Sequence, residues 1–248
     1  MYYSSHGIIL KKQNFHESDS FFSIYTYNFG KTEAVARGVK KSKSKLSGHL
    51  DYFSIIDLMI ARGKNFNHIS GAAAVKNFLN IRKNSQKINL IFYCLEISDY
   101  FIKIEKKDKK IFLLLRQLLI IANKNLHTER LKFIAHCYIL KLLNFLGYSP
   151  ELYFCLKCGQ KITPNNNFFS ARAGGIICAK CKKNLRNDVL KISDNGIKLL
   201  RLIIQKNLLN LFKIRLSKKL FIETIKIIDE FLNFRLDKEI KSKKFLNF

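Results

Sequence analysis

The chain has 248 residues, of which 45 are Lys or Arg and 18 are Asp or Glu, so its formal net charge is +27. Hydrophobic residues make up 48% of the sequence, which is enough for packed cores and excludes a disordered chain. Two prolines and 11 glycines also exclude a collagenous chain or a long structureless linker. The length predicts one large domain or two to three small ones.

The positive charge predicts a polyanionic partner, with nucleic acid as the first interpretation and an anionic membrane face as the second. A neutral explanation stands beside it. The 35 Lys and 21 Asn residues and the abundant Ile are typical of AT-rich codons, so part of the excess is compatible with genomic drift.

Residues 1–6 have neither the basic start nor the apolar run of a signal peptide. The longest strongly apolar stretch, residues 111–122, is interrupted by Arg116 and Gln117, whereas a spanning helix needs about 20 apolar residues. We therefore expect a cytoplasmic protein with no membrane partner and with reduced thiols.

The first 75 residues predict strands. Five runs combine aromatic and β-branched residues with Gly-bearing turns: residues 7–10, 21–27, 32–39, 52–60 and 66–73. Short strands at this regular spacing predict a small barrel.

From about Val75 onward the apolar residues follow a helical period, with Ile88, Ile91 and Leu95 on one face. Further helices are predicted over residues 111–121, 131–146, 193–209 and 217–234, with Ser193 and Ser217 as N-caps and Gly147 as a C-cap. The predicted fold class is α+β, with a barrel domain at residues 1–78 and a helical domain at residues 79–248.

The strongest local signal is Cys155 and Cys158, followed after nineteen residues by Cys178 and Cys181. Two C-x2-C pairs at this separation are typical of a four-cysteine zinc site, here at residues 153–184 or so. Because all four protein ligands are sulfur, the site is predicted to be structural. A disulfide pair or a redox C-x-x-C remains the alternative, and Cys94 and Cys137 are interpreted as small core residues.

A basic loop at residues 37–45 carries five positive charges and no acid: Arg37, Lys40, Lys41, Lys43 and Lys45. An exposed loop of this kind beside a small barrel predicts phosphate-backbone binding. Lys11, Lys12 and Arg62 are expected to extend the patch. The alternative is a solvated loop with no specific partner.

Six nearby aromatics are candidates for base stacking or for the core: Phe15, Phe22, Tyr25, Phe29, Tyr52 and Phe66. No paired carboxylates or His-anchored nucleophile motif stands out, so we expect no enzymatic activity. Two alternatives remain open: an RNA-binding zinc-ribbon accessory protein, and a DNA nuclease or ligase-like enzyme.

Several segments in chain order resemble the RecO family of bacterial DNA repair proteins. They are Gly7 to Leu10, Glu17 to Asp19, Ala34 to Lys41, Ser44 to Leu46, Gly48 to Leu50, Leu146 to Leu152, the C-x2-C at Cys155, Phe169 and Ser170, Gly174 to Cys178, and Lys241 and Ser242. The second cysteine pair departs from the family pattern, because Lys182 follows it where a Gly is commoner.

The resemblance implies an N-terminal OB-fold and a helical domain carrying an inserted zinc finger with one Zn²⁺ on the four cysteines. It also implies a mediator that binds single- and double-stranded DNA, anneals complementary strands and works with RecR. The expected further partners are the acidic C-terminal tail of SSB and, indirectly, RecA. DNA binding is carried onto the five cations of the basic loop, and the nucleoid becomes the expected location of the bound protein.

Overall fold

The structure of the protein, a computed structural model, describes residues 1–183 and 189–246. Asn184, the last residue of the predicted finger range, and the last two residues of the predicted helical domain lie outside the described residues. Two compact units are present: Met1–Leu131 with Ile240–Phe248, and Lys132–Glu239. The functional boundary predicted at residue 78, where strands give way to helices, stays a prediction.

Five strands form a closed barrel in the first unit. They are β1 (Tyr2–Asn14), β2 (Ser20–Thr26), β3 (Gly30–Ala36), β4 (Ser54–Ala61) and β5 (Asn67–Asn77). Their spatial order is β1-β2-β3-β5-β4, with β1 paired to β4 and only the short β3–β5 contact parallel. The strand spacing predicts this small barrel, and the resemblance predicts its OB-fold topology.

Alternation of side chains produces the barrel core. Phe22 and Ile24 of β2 and Leu58 of β4 are almost completely buried inside it, as expected for residues two apart on a strand. Val39 and Leu50, which lie in the long connection between β3 and β4, belong to the same buried cluster. That connection is therefore attached to the core at two points.

The strand boundaries differ from the predicted runs, most of all at β1, which spans Tyr2–Asn14 and not only residues 7–10. β5 continues to Asn77, four residues beyond the predicted end, because Lys76 and Asn77 pair with Ile55 and Ser54 of β4. β3 ends at Ala36 rather than at Val39, because Arg37 to Lys40 form turns. Arg37 consequently lies in the loop and not on the strand.

Gly30, Lys31 and Thr32 form the start of β3. The Lys31 ammonium is buried against Asp99, 2.8 Å from its carboxylate, and the Ser23 hydroxyl donates to the same carboxylate at 2.6 Å. These contacts link β2 and β3 to the helix that contains Asp99, so the Lys31 ammonium already has a carboxylate partner within the first unit.

Helices follow the barrel: α1 (Leu79–Arg82), α2 (Ser85–Phe101), α3 (Lys109–Ala122) and α4 (Thr128–Phe145). Asn84 and Asp108 cap α2 and α3 by accepting a backbone N–H. Gly147 adopts a positive φ of 92° after α4, which confirms it as the predicted C-cap. A short 3-10 helix at Lys241–Phe245 returns to α2, where Glu96 accepts from Ser242.

The second unit contains a three-stranded sheet in the order β7-β6-β8. Its elements are β6 (Asn167–Ser170), β7 (Gly175–Ile177), α5 (Ala179–Lys182), β8 (Leu190–Ile192), α6 (Asp194–Gln205), α7 (Leu208–Leu211) and α8 (Lys218–Asn233). Ser193 and Ser217 are the N-caps of α6 and α8, as predicted.

The helix predicted to run from Ser193 to Leu209 is in fact two helices. α6 ends at Gln205. There the Lys141 ammonium caps the C-terminus of the helix by donating to the carbonyls of Ile203, Ile204 and Lys206. Asn207 then caps α7 through its side chain. A buried cation at the end of one helix and an N-cap residue two positions later explain the break.

Candidate metal centre and nucleic-acid interface

Four cysteine sulfurs come together in the second unit. The sulfurs of Cys155, Cys158, Cys178 and Cys181 all lie within 4.8 Å of one another. The Cys158 and Cys178 sulfurs are 3.9 Å apart, which matches the edge of about 3.8 Å in a tetrahedron of 2.3 Å zinc–sulfur bonds. All six cysteines are free thiols, so the disulfide alternative finds no support.

Local backbone geometry builds the first half of this cluster. The Gly159 N–H donates to the Cys155 carbonyl at 2.8 Å, and Gly159 adopts a φ of +69°. A residue without a side chain is favoured at such a φ. The turn that follows the first cysteine pair is thereby closed tightly enough for both sulfurs to face the same point.

The β6–β7 hairpin positions the second cysteine pair, because β7 ends directly before Cys178. Gly175 lies so close to the backbone of Glu151 that a Cβ atom at this position would collide with the Glu151 carbonyl. The close approach allows Leu156 to donate to the Ile176 carbonyl at 3.0 Å. This bond holds the first cysteine pair beside the strand that leads to Cys178.

The thiols of the cluster have unequal proton affinities. Burial alone would raise the pKa of Cys155, but backbone N–H groups of Cys178, Cys158 and Lys157 lower that pKa to about 6. Hydrogen bonds to the sulfurs of Cys158 and Cys178 raise the pKa of Cys181 to about 12. Four sulfurs this close need a cation before all of them can be thiolates, and a soft divalent ion suits a sulfur-only set.

The other sulfurs and the histidine near them have structural roles. Cys94 and Cys137 are completely buried, which confirms the interpretation as core residues, and burial raises the pKa of Cys94 far above its usual range. His136 is buried as well, with its ring nitrogens 2.7 Å from the Lys132 carbonyl and 3.1 Å from Asp229.

The basic loop is exposed at every predicted cation. Arg37, Lys40, Lys41, Lys43 and Lys45 are all exposed, while Val39 between them is buried in the barrel core. In the part of the chain that the structure describes, none of these five side chains forms an ion pair with a carboxylate. Their charges are therefore accessible to a ligand.

The β1–β2 loop (residues 15–19) holds the basic loop in place. The Asp19 carboxylate accepts from the Gly38 N–H at 2.8 Å, and the Lys40 N–H donates to the Ser18 carbonyl at 3.0 Å. The Lys40 ammonium reaches the His16 carbonyl at 3.1 Å. The sequence analysis assigns no role to Asp19, although Ser18 and Asp19, directly before β2, are typical turn residues that indicate such a contact.

The three cations expected to extend the patch lie at different places. Lys11 and Lys12 are exposed on the second half of β1, after a bulge near Leu10. Arg62 follows β4 and lies 5.8 Å from the centroid of the Tyr3 ring. The described contacts of Arg62 are with Met1 and Tyr3, so its membership of the patch stays a prediction.

Removal of the Asp19 carboxylate is expected to loosen the basic loop. The Gly38 N–H, followed by smaller effects that include the Ser18 hydroxyl, lowers the pKa of Asp19. The contribution of this carboxylate is therefore complete above the ordinary Asp pKa of about 3.9 and lost as the pH falls through the lower, folded value. At neutral pH, Asp19→Ala should speed amide hydrogen exchange at Gly38 and Lys40.

A matched control is Glu17→Ala, which removes the same charge from an exposed residue of the same loop. It should leave exchange at Gly38 unchanged. In the unaltered protein, the Gly38 amide resonance should titrate with a midpoint below about 3.9. Equal exchange rates in both variants would contradict the role assigned to Asp19.

Within the described residues, no helix is long and apolar enough to cross a membrane.

Comparison with known proteins identifies the family of this chain. Residues 1–78 match the family model described as recombination protein O N terminal, and residues 82–244 match its C-terminal counterpart. The DNA repair protein RecO of Dehalococcoides mccartyi is 32% identical over 246 residues, which is 99% of this chain and 95% of the relative. Relatives of the same name from Caldanaerobacter subterraneus and Thermoanaerobacter are each 30% identical over 96% and 97% of this chain and 95% of their own length. The barrel, the cysteine cluster and these full-length matches together show that the chain belongs to the RecO family of DNA repair proteins.

Proposed function

We propose that this protein is a non-enzymatic recombination mediator that binds single- and double-stranded DNA and anneals complementary strands. In this proposal it helps RecA to load on SSB-coated single strands together with RecR, and it contacts the acidic C-terminal tail of SSB. It acts in the cytoplasm, on the nucleoid when bound to DNA. Residues 1–78 are the DNA-binding domain, and residues 79–248 are the helical domain with the finger.

The observation that carries the proposal is the basic loop, whose five exposed cations have no carboxylate partner among the described residues. Phosphates of two strands repel each other, and a cluster of cations lowers that repulsion while releasing condensed counterions. Annealing breaks no covalent bond, so binding and release of the strands are sufficient for this function. The family membership supports a role in DNA repair.

The cysteine cluster fits a structural ion and not a reacting one. Cys155, Cys158, Cys178 and Cys181 would hold one Zn²⁺ through four thiolates, which leaves no open position for a water molecule. In the described ranges, these four are the one group of three or more potential metal-ligating side chains. The ion would supply folding energy to the finger.

Strand annealing is the direct test of this function. Complementary oligonucleotides coated with SSB are mixed with the purified protein, and duplex formation is followed by a fluorophore and quencher pair. We expect the rate to rise well above that of the SSB-coated strands alone and to fall at high salt. Cleavage or joining of the DNA in the presence of Mg²⁺ would contradict the proposal and favour the enzyme alternative.

A further inference from the structure

Three of the six aromatics considered above face the interior or other rings. Phe22 and Tyr25 are completely buried, and the Tyr25 hydroxyl donates a hydrogen bond to the Asp108 carbonyl at 2.9 Å. Tyr52 accepts from the Lys12 N–H through its hydroxyl and packs edge-on against Phe92. Phe22 and Tyr25 therefore offer no face to a base, and the half-buried Tyr52 is already held by these two contacts.

Phe15 and Phe66 have a different environment. Phe15 is 39% exposed in the β1–β2 loop, and Phe66 is 44% exposed in the β4–β5 loop (residues 62–66). Their ring centroids are 5.5 Å apart, and both rest on the half-buried Phe21 at 6.5 and 6.3 Å. Two loops from distant parts of the chain therefore join into one exposed aromatic cluster.

The aromatic cluster lies beside the basic loop. Phe15 precedes His16, whose carbonyl is the acceptor of the Lys40 ammonium, and Lys64 is an exposed cation two residues before Phe66. Apolar rings that only stabilised the barrel would be expected inside it, where Phe22 lies. Exposed rings next to cations instead match the combination of stacking surface and phosphate binding that single strands require.

We propose that Phe15 and Phe66 form a stacking site for unpaired bases, which makes the barrel select single strands over duplex. The inference rests on the proposed function, because it assumes that the basic loop binds the phosphates of the same strand. The two rings meet at 73°, so they cannot both lie flat on one base. Each ring therefore takes a separate base, while bases already paired in a duplex are unavailable to either.

The test compares three ligands of equal length: oligothymidine, an abasic strand with the same phosphates, and a blunt duplex. The unaltered protein should bind oligothymidine more tightly than the abasic strand. The double variant Phe15→Leu with Phe66→Leu keeps the apolar volume and removes the π faces. It should lose about 5- to 150-fold in affinity for oligothymidine per stacked base and nothing for the abasic strand.

Phe29→Leu is the matched control, because Phe29 is 37% exposed in the same barrel but packs on Tyr3 at the β2–β3 turn. It should leave all three affinities unchanged. Equal losses for oligothymidine and the abasic strand in the leucine variant, or no loss at all, would overturn the stacking site. Failure of the unaltered protein to bind any of the three would instead overturn the proposed function.

A direct spectroscopic readout is possible because the chain contains no tryptophan. Phe66→Trp places the only indole of the protein in the cluster and preserves an aromatic face. Its fluorescence should be quenched by oligothymidine and stay constant with the abasic strand. An indole that responds equally to both strands reports phosphate binding alone and would overturn the proposal.

Discussion

Replacing Lys40, Lys41, Lys43 and Lys45 together by alanine is expected to reduce the salt dependence of single-strand binding. Each lost phosphate contact lowers the slope of log affinity against log salt by about 0.7, so four contacts lower it by up to about 2.8. Between 0.1 and 1 M salt such a difference corresponds to several hundred-fold in affinity. Fluorescence anisotropy over a salt series measures it.

The matched control removes four exposed lysines from the second unit, namely Lys213, Lys218, Lys219 and Lys226. Both variants carry the same net charge of +23, because four of the 27 excess positive charges are removed. If the slope fell equally in both, binding would follow the total charge, and the lysine excess would reflect base composition. Thermal unfolding should be nearly unchanged in the loop variant, since its four side chains are exposed.

Removing two of the four sulfurs, by Cys155→Ser with Cys178→Ser, is expected to abolish metal binding and to unfold the finger. Structural zinc sites contribute about 10–16 kcal/mol of apparent binding free energy at neutral pH, which is as large as the stability of an ordinary domain. Elemental analysis should find one zinc per unaltered chain and none in the variant. Amide exchange at Leu156, which bonds to Ile176, should become fast.

Cys94→Ala is the control for this experiment, because it removes a completely buried sulfur outside the cluster. It should keep one zinc per chain and the slow exchange at Leu156. A double variant that retained zinc, or an unaltered chain that was purified with iron, would contradict the assignment of the ion. The single-strand salt slope should stay unchanged in the cysteine variant, because the basic loop lies in the other unit.

The barrel and the cysteine cluster were predictable because each depends on a pattern that is local in sequence. Strands such as β2 are indicated by aromatic and β-branched residues next to a Gly turn. A C-x2-C pair forms half of its site within four residues. Ser193 and Ser217 were identified as caps for the same reason, since an N-cap acts within one helical turn. These features required no knowledge of distant contacts.

What could not be predicted depends on contacts between remote segments. The end of β5 at Asn77 follows from pairing with β4, and the end of α6 at Gln205 follows from Lys141, more than 60 residues earlier. The exposure of Phe15 and the burial of Phe22 are equally invisible in a sequence, because both are Phe residues near strand ends. Only the closed barrel decides which ring faces inward.

The basic loop separates two properties that are usually coupled in a protein. It is held in place by Val39, which is buried in the barrel core, and by the Asp19 carboxylate, which accepts from the Gly38 N–H, whereas its five cations are exposed. Lysines can therefore be gained or lost along this segment by point mutation without endangering the native state. In a lineage that drifts towards AT-rich codons, the affinity of this loop for polyanions can therefore rise gradually. Selection can then adjust that affinity one residue at a time.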